Sequence, residues 1–138
     1  MIQAFDNVFY LILHCLNLIT YAYFLFRIFF MIDGVNEEYS TDKTTTYLWQ
    51  FTAVTMLPML LVGIYLIFRN NGINGTWLYF NLLFLMSLFQ LILEVLVYTK
   101  TIYKDLGVKN SIIDVIAFGY LTVSSTILII GLSEKIYI

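Results

Sequence analysis

Four stretches of the chain are each long enough and apolar enough to cross a lipid bilayer, and only short polar breaks separate them. They cover residues 7–31, 46–68, 76–99 and 111–132. A hydrocarbon core about 30 Å thick is spanned by about 20 mostly apolar helical residues. Inside it no water satisfies backbone N–H and C=O groups, so each run is expected to be a helix. The runs are continuously apolar and do not alternate, which argues against a transmembrane β-barrel. Composition closes the soluble alternative. Of the 138 residues, 61% are hydrophobic and 12% are charged, against about 25% charged in ordinary soluble domains. A soluble domain of this length buries only about 68–70% of its unfolded surface and cannot hide so much apolar area. Disorder needs the opposite composition, and a single cysteine, Cys15, cannot build a disulfide scaffold. The expectation is one all-α domain over residues 1–138: an integral membrane, four-helix, up-and-down bundle with short loops.

The breaks differ in chemistry. The first, residues 33–45, holds Gly34, Asn36, Glu37, Glu38, Asp42 and Lys43. The second, Asn70-Asn71-Gly72-Ile73-Asn74-Gly75, reads as a tight turn of residues that accept positive φ. It is expected to fold the second and third spans into an antiparallel hairpin. The third, residues 100–110, spaces Lys100, Lys104 and Lys109 between Tyr103, Leu106 and Val108. That pattern fits either a short interfacial helix or a plain linker. The sequon Asn74-Gly75-Thr76 abuts the third span, where the simpler reading is a turn asparagine supporting positive φ. The first span is too long for a signal-peptide core, no small-x-small site follows it, and Ile2 stands where myristoylation needs glycine. It reads as a retained transmembrane helix.

Basic residues set orientation. Arg27, Lys43, Lys100, Lys104 and Lys109 gather on one side, and Arg69 and Lys135 on the other. The first and third loops are therefore expected to face the cytoplasm, or the matrix of an organelle, with both termini on the opposite side. The net charge of -2 and the absence of a basic patch give no footprint for nucleic acid.

Polar side chains within a span are costly and usually face the bundle interior or a cavity. In an up-and-down threading, Arg27, Gln50, Glu94 and Asp114 fall in one layer on the lysine-rich side, where Arg27 can pair with Glu94 or Asp114. On the third span Ser87, Gln90, Glu94 and Tyr98 share a face, as do Asn17, Thr20, Phe24 and Arg27 on the first. These stripes are expected to face each other, as a polar pathway or as interhelical hydrogen bonds. Pro58, near the middle of the second span, frees the carbonyl of Val54 and predicts a kink, with Thr55 placed to help satisfy it. Tyr47, Trp49, Trp77 and Tyr79 lie near span ends, where aromatic belts belong. His14 and Cys15 are too few for a closed zinc site, and no metal or cofactor is expected.

No catalytic motif is present: no H-E-x-x-H, C-x-x-C, G-x-S-x-G or Gly-rich phosphate loop. The chain also lacks the Cys-Cys-Gly of tetraspanins, the paired cysteines of quinone-linked disulfide-forming proteins and the first-span glutamate of small multidrug exporters. An enzyme is therefore not expected. The leading functional reading is a non-enzymatic subunit or interaction partner in a membrane assembly, in contact with lipid and with other subunits or copies of itself. The alternative is a small oligomeric channel or transporter using Asn17, Arg27, Ser87, Gln90 and Glu94. The third is a lipid-binding protein or membrane enzyme whose cavity opens between helices.

Overall fold

The structure is a computed structural model that describes residues 5–138. It is an all-α bundle whose four long helices are α1 (Val8–Phe30), α3 (Thr46–Phe68), α4 (Trp77–Tyr98) and α5 (Ile112–Gly131). All four are long and apolar enough to cross a membrane. The chain is a small polytopic membrane protein. Each helix begins and ends within a residue of the span read from hydropathy. Two short helices, α2 (Ile32–Tyr39) and α6 (Ser133–Ile136), follow α1 and α5. The first four residues of the N-terminal tail lie outside the described residues.

Local chemistry sets the helix ends. Asn7 caps α1 by accepting from the Tyr10 N–H at 3.1 Å. At the start of α5 the Asp114 carboxylate reaches back to accept from the Ser111 N–H at 3.1 Å and from its hydroxyl at 3.0 Å. A carboxylate there also complements the positive end of the helix dipole. Asp114 is thus a helix cap, and not the partner of Arg27.

Packing is uneven. α4 lies along α5 over most of its length, α5 meets α1, and α1 meets α3. On α1 the buried residues His14, Leu18, Tyr21, Leu25 and Ile28 recur at spacings of four and three, the stripe of a packed helix. Ile12, Leu16, Ile19, Tyr23 and Phe26 form the opposite, exposed stripe, which contacts the bilayer. The asparagine and glycine turn joins α3 to α4 as an antiparallel pair, yet the two barely touch. They diverge because α3 is held by α1. His14, fully buried, bonds the Gly63 carbonyl at 3.0 Å through Nε2; since a carbonyl only accepts, Nε2 carries the proton. Positive φ in the turn falls on Gly72 and Gly75, and not on Asn74 as expected.

One end of the bundle is tied together. Lys135 pairs with Asp6 at 3.1 Å, and its carbonyl accepts from the Gly75 N–H at 3.1 Å. The main core also lies toward this end, with Phe5, Ile73, Phe80, Leu83, Leu128, Leu132 and Ile136 almost wholly buried. Only a small cluster of Leu25, Ile28 and Ala53 forms a second core on the lysine-rich half.

The first loop carries more structure than expected. Residues 33–45 contain most of α2, and Asn36 is its hub. Its amide oxygen accepts from Thr41 at 3.0 Å and Thr45 at 3.1 Å, and its NH₂ donates to Thr46 at 3.1 Å. Of the two forms open to the third loop, the structure has the linker: residues 100–110 form only a 3-10 turn at Lys104–Leu106. Replacing Asn36 by Ala is expected to cost about 1–2 kcal/mol, because the hub is buried and its partners lose their bonds. Backbone hydrogen exchange over residues 32–45 should quicken while that of α4 and α5 is unchanged.

Candidate functional site

The divergence of α3 and α4 leaves a cavity of about 370 Å³ in the lysine-rich half of the bundle. Its volume lies at the low end of the ~300–1,000 Å³ usual for small-molecule sites. The floor is α1 and α5, through Tyr21, Phe24, Ile28 and Phe118. One wall is α3, with Trp49, Thr52, Thr55 and Met56, and the other is α4, with Met86, Phe89, Gln90, Leu93 and Glu94. Val35 and Tyr39 of α2 close the end nearest the lysine-rich loops.

Depth along the helices gives the cavity a polar and an apolar end. At ~1.5 Å per residue, Arg27 and Glu94 lie ~5–6 Å in from the ends of α1 and α4. Gln90 lies ~12 Å in and Met86 ~18 Å, near the middle of the bilayer. Arg27 and Glu94 therefore sit close to the interface, Phe24 and Phe118 ring the space at ~9 Å, and Met56 and Met86, ~15 and ~18 Å in, line its deepest part. The mouth lies between α3 and α4: Thr52, Thr55, Phe89 and Leu93 are at once wall residues and exposed on the outside of the bundle. Residues exposed at that depth face acyl chains, so the cavity opens sideways into the membrane.

The polar end is partly occupied by its own bonds. Arg27 forms a close ion pair with Glu38 of α2, and its guanidinium lies 5.8 Å from the centre of the Tyr23 ring. This replaces the expected pairing with Glu94 or Asp114. Glu94 instead accepts from Gln90 Nε2 at 2.9 Å through Oε1 and from Asn110 Nδ2 at 2.7 Å through Oε2. Asn110 also donates to the Glu94 carbonyl at 2.8 Å, which holds the third loop against the end of α4. Tyr39 packs against Trp49 with the rings tilted by 54° and their centres 5.0 Å apart, and the Lys109 N–H donates to the Tyr39 carbonyl at 3.1 Å. Burial, and then the negative charges of Glu94, Asp114 and Glu38, push the Tyr39 phenol well above its ordinary range. It therefore stays a neutral hydroxyl at the polar end at physiological pH.

The two stripes read from the sequence meet only in part. Arg27, Phe24, Gln90 and Glu94 share the cavity. Asn17 turns to α5, where its Oδ1 accepts from the Ser124 hydroxyl at 2.6 Å, and Ser87 donates to its own helix at the Phe84 carbonyl, 2.9 Å away. Thr20 donates to the Leu16 carbonyl, and Tyr98 is exposed. Gln50 is half-buried on α3 outside the cavity, and Pro58 lies on the exposed side of a helix that continues through it. Thr55 donates to the Thr52 carbonyl at 2.7 Å and not to Val54. Of the four aromatics assigned to membrane belts, Tyr47 and Trp77 are exposed at span ends, whereas Trp49 lines the cavity and Tyr79 is buried beside His14.

Val35, Glu38 and Tyr39 were not anticipated. Their signal is the spacing Ile32, Val35, Tyr39 within an otherwise polar loop, one apolar face of a short helix. Among the described residues no group of three His, Cys, Asp or Glu side chains converges to hold a metal ion. Comparison with known protein families, curated proteins and solved structures finds no match.

Proposed function

We propose that this protein binds a single-chain amphiphile that enters sideways from the bilayer. The observation that carries the reading is the cavity between α3 and α4, open at membrane depth, polar near the interface and apolar toward the midplane. An amphiphile in a leaflet has the same order of groups: head at the interface, chain at depth. Its transfer therefore exposes no apolar surface to water and strands no head group in hydrocarbon. The volume suits one chain and not two.

Conduction through the polar stripe has less support. Ser87 spends its hydroxyl on the Phe84 carbonyl, Asn17 turns its Oδ1 to Ser124 on α5, and neither lines the cavity, so the stripe does not continue beyond Gln90. A role as a non-enzymatic subunit draws on the exposed outer faces of the helices, which acyl chains cover equally well. In the reading proposed here the protein is a binder and not a catalyst.

The chain's two tryptophans make the test direct. Trp49 lies in the cavity wall, and Trp77 is exposed near the other end of the bundle. In a Trp77→Phe background, a brominated hexadecyl alcohol titrated into nanodiscs should quench Trp49 saturably, with unlabelled alcohol reversing the effect. Quenching that rises only in proportion to the bromine content of the bilayer would mean that Trp49 meets bulk lipid and no site exists.

A further inference from the structure

We infer that the amphiphile held in the cavity carries a positive charge on its head: a long-chain alkylammonium rather than a neutral or anionic chain. The inference rests on the binding reading above and adds the chemistry of the head group. The first observation is the charge balance of the walls. Arg27 and Glu94 are the basic and the acidic side chain that line the cavity, and Arg27 is already neutralised by Glu38. Glu94 has no such partner: among the described residues no cation lies within ion-pair distance of it. Its neighbours are the amides of Gln90 and Asn110.

The second observation is the way those amides are used. Each carboxylate oxygen of Glu94 accepts from an N–H donor, one from Gln90 and the other from Asn110. Both oxygens are arranged as acceptors, an arrangement that favours the charged form. Glu94 is 4% exposed. A negative charge so placed is expensive unless a positive one joins it, and the open side is the cavity.

The third observation is aromatic. Phe24, Tyr39, Trp49, Phe89 and Phe118 surround the space that Glu94 borders. Ring faces attract cations, and quaternary ammonium groups are commonly recognised by such a combination. An anionic head would meet Glu94 in repulsion, with an arginine already bonded elsewhere. A neutral head would leave the Glu94 charge uncompensated. An ammonium head satisfies both the carboxylate and the rings while its chain follows the apolar path toward Met86.

Three hexadecyl probes that differ only in the head test this: the trimethylammonium, the alcohol and the sulfate, each competing with the brominated alcohol for Trp49 at low mole fraction in neutral nanodiscs. The trimethylammonium should bind about tenfold more tightly than the alcohol, on the scale of ion-pair attraction to Glu94 plus cation–π attraction, and the sulfate least. Glu94→Gln should abolish the preference, bringing the trimethylammonium and the alcohol to equal affinity. Phe89→Leu, at the exposed mouth, should weaken the ammonium about threefold more than the alcohol. Asp33→Asn, on the exposed face of α2, should change nothing, which separates the site from general attraction to a negatively charged protein. Equal affinity for the three heads, or a preference that survives Glu94→Gln, overturns the inference and leaves the cavity reading standing. Failure of all three to displace the brominated chain overturns the cavity reading itself.

Discussion

Met86→Trp is expected to abolish amphiphile binding while leaving the fold as stable as the parent. Met86 lines the deep end of the cavity, ~18 Å along α4 from its interfacial end. An indole there takes the space meant for the far half of the chain. For a ligand of this size each non-hydrogen atom contributes about 0.3 kcal/mol. Excluding about nine atoms of chain then costs about 2.7 kcal/mol, roughly a hundredfold in affinity. Enlarging a side chain in a filled core usually costs about 1–3 kcal/mol of stability. At Met86 the added volume enters space that is already open, so that penalty is not expected. Titration of the brominated alcohol against Trp49 is confounded by the added indole, so the check is direct retention of hexadecyltrimethylammonium, measured by mass spectrometry of the nanodisc-purified protein. Undiminished retention, or a large fall in melting temperature, would show that the deep end is not where the chain lies.

The way this cavity was and was not legible in the sequence follows from what each part depends on. The spans are local: hydrophobic length alone sets Val8–Phe30, Thr46–Phe68, Trp77–Tyr98 and Ile112–Gly131. The depth of Arg27, Gln90 and Glu94 follows from those spans by counting residues, so three of the cavity's polar groups were identifiable. Which helix touches which is not local. A short asparagine and glycine turn dictates that α3 and α4 run antiparallel, and it says nothing about contact between them. Their separation follows from His14 meeting Gly63 across α1 and α3, and from the close fit of α4 on α5. Ion pairing failed as an expectation for a related reason. Arg27 was matched to acids within the spans at its own depth, whereas Glu38 reaches it only because residues 32–39 coil into a helix and fold back. Asp114 was read as a member of a polar layer, yet it sits where a helix begins after Ser111, and a local capping bond takes its carboxylate.

The packing that holds the cavity open yields the other large effect, Gly63→Ala. Gly63 is buried on α3 against α1, and a methyl on its Cα would collide with the Tyr79 hydroxyl and with Cδ2 of Leu18. Neither neighbour has room to retreat. Leu18 is 7% exposed and Tyr79 6%, and the Tyr79 ring lies 5.9 Å from His14 and 5.1 Å from Phe80, centre to centre. Relief therefore requires α3 to move away from Leu18 of α1 and Tyr79 of α4, which stretches the His14 bond to the Gly63 carbonyl. The expected loss is about 1–3 kcal/mol, a large share of a total that is usually about 5–15 kcal/mol. Alanine is otherwise the better helix former by roughly 0.5–1 kcal/mol, so a destabilised protein isolates the steric term. Gly34→Ala supplies the contrast: no atom lies within 4 Å of the methyl it would add to α2, and it should stabilise the protein slightly. Thermal unfolding of both variants in detergent measures the difference. If Gly63→Ala unfolds no earlier than Gly34→Ala, then α1 and α3 do not meet as closely as described, and the splaying of α3 from α4 needs another cause.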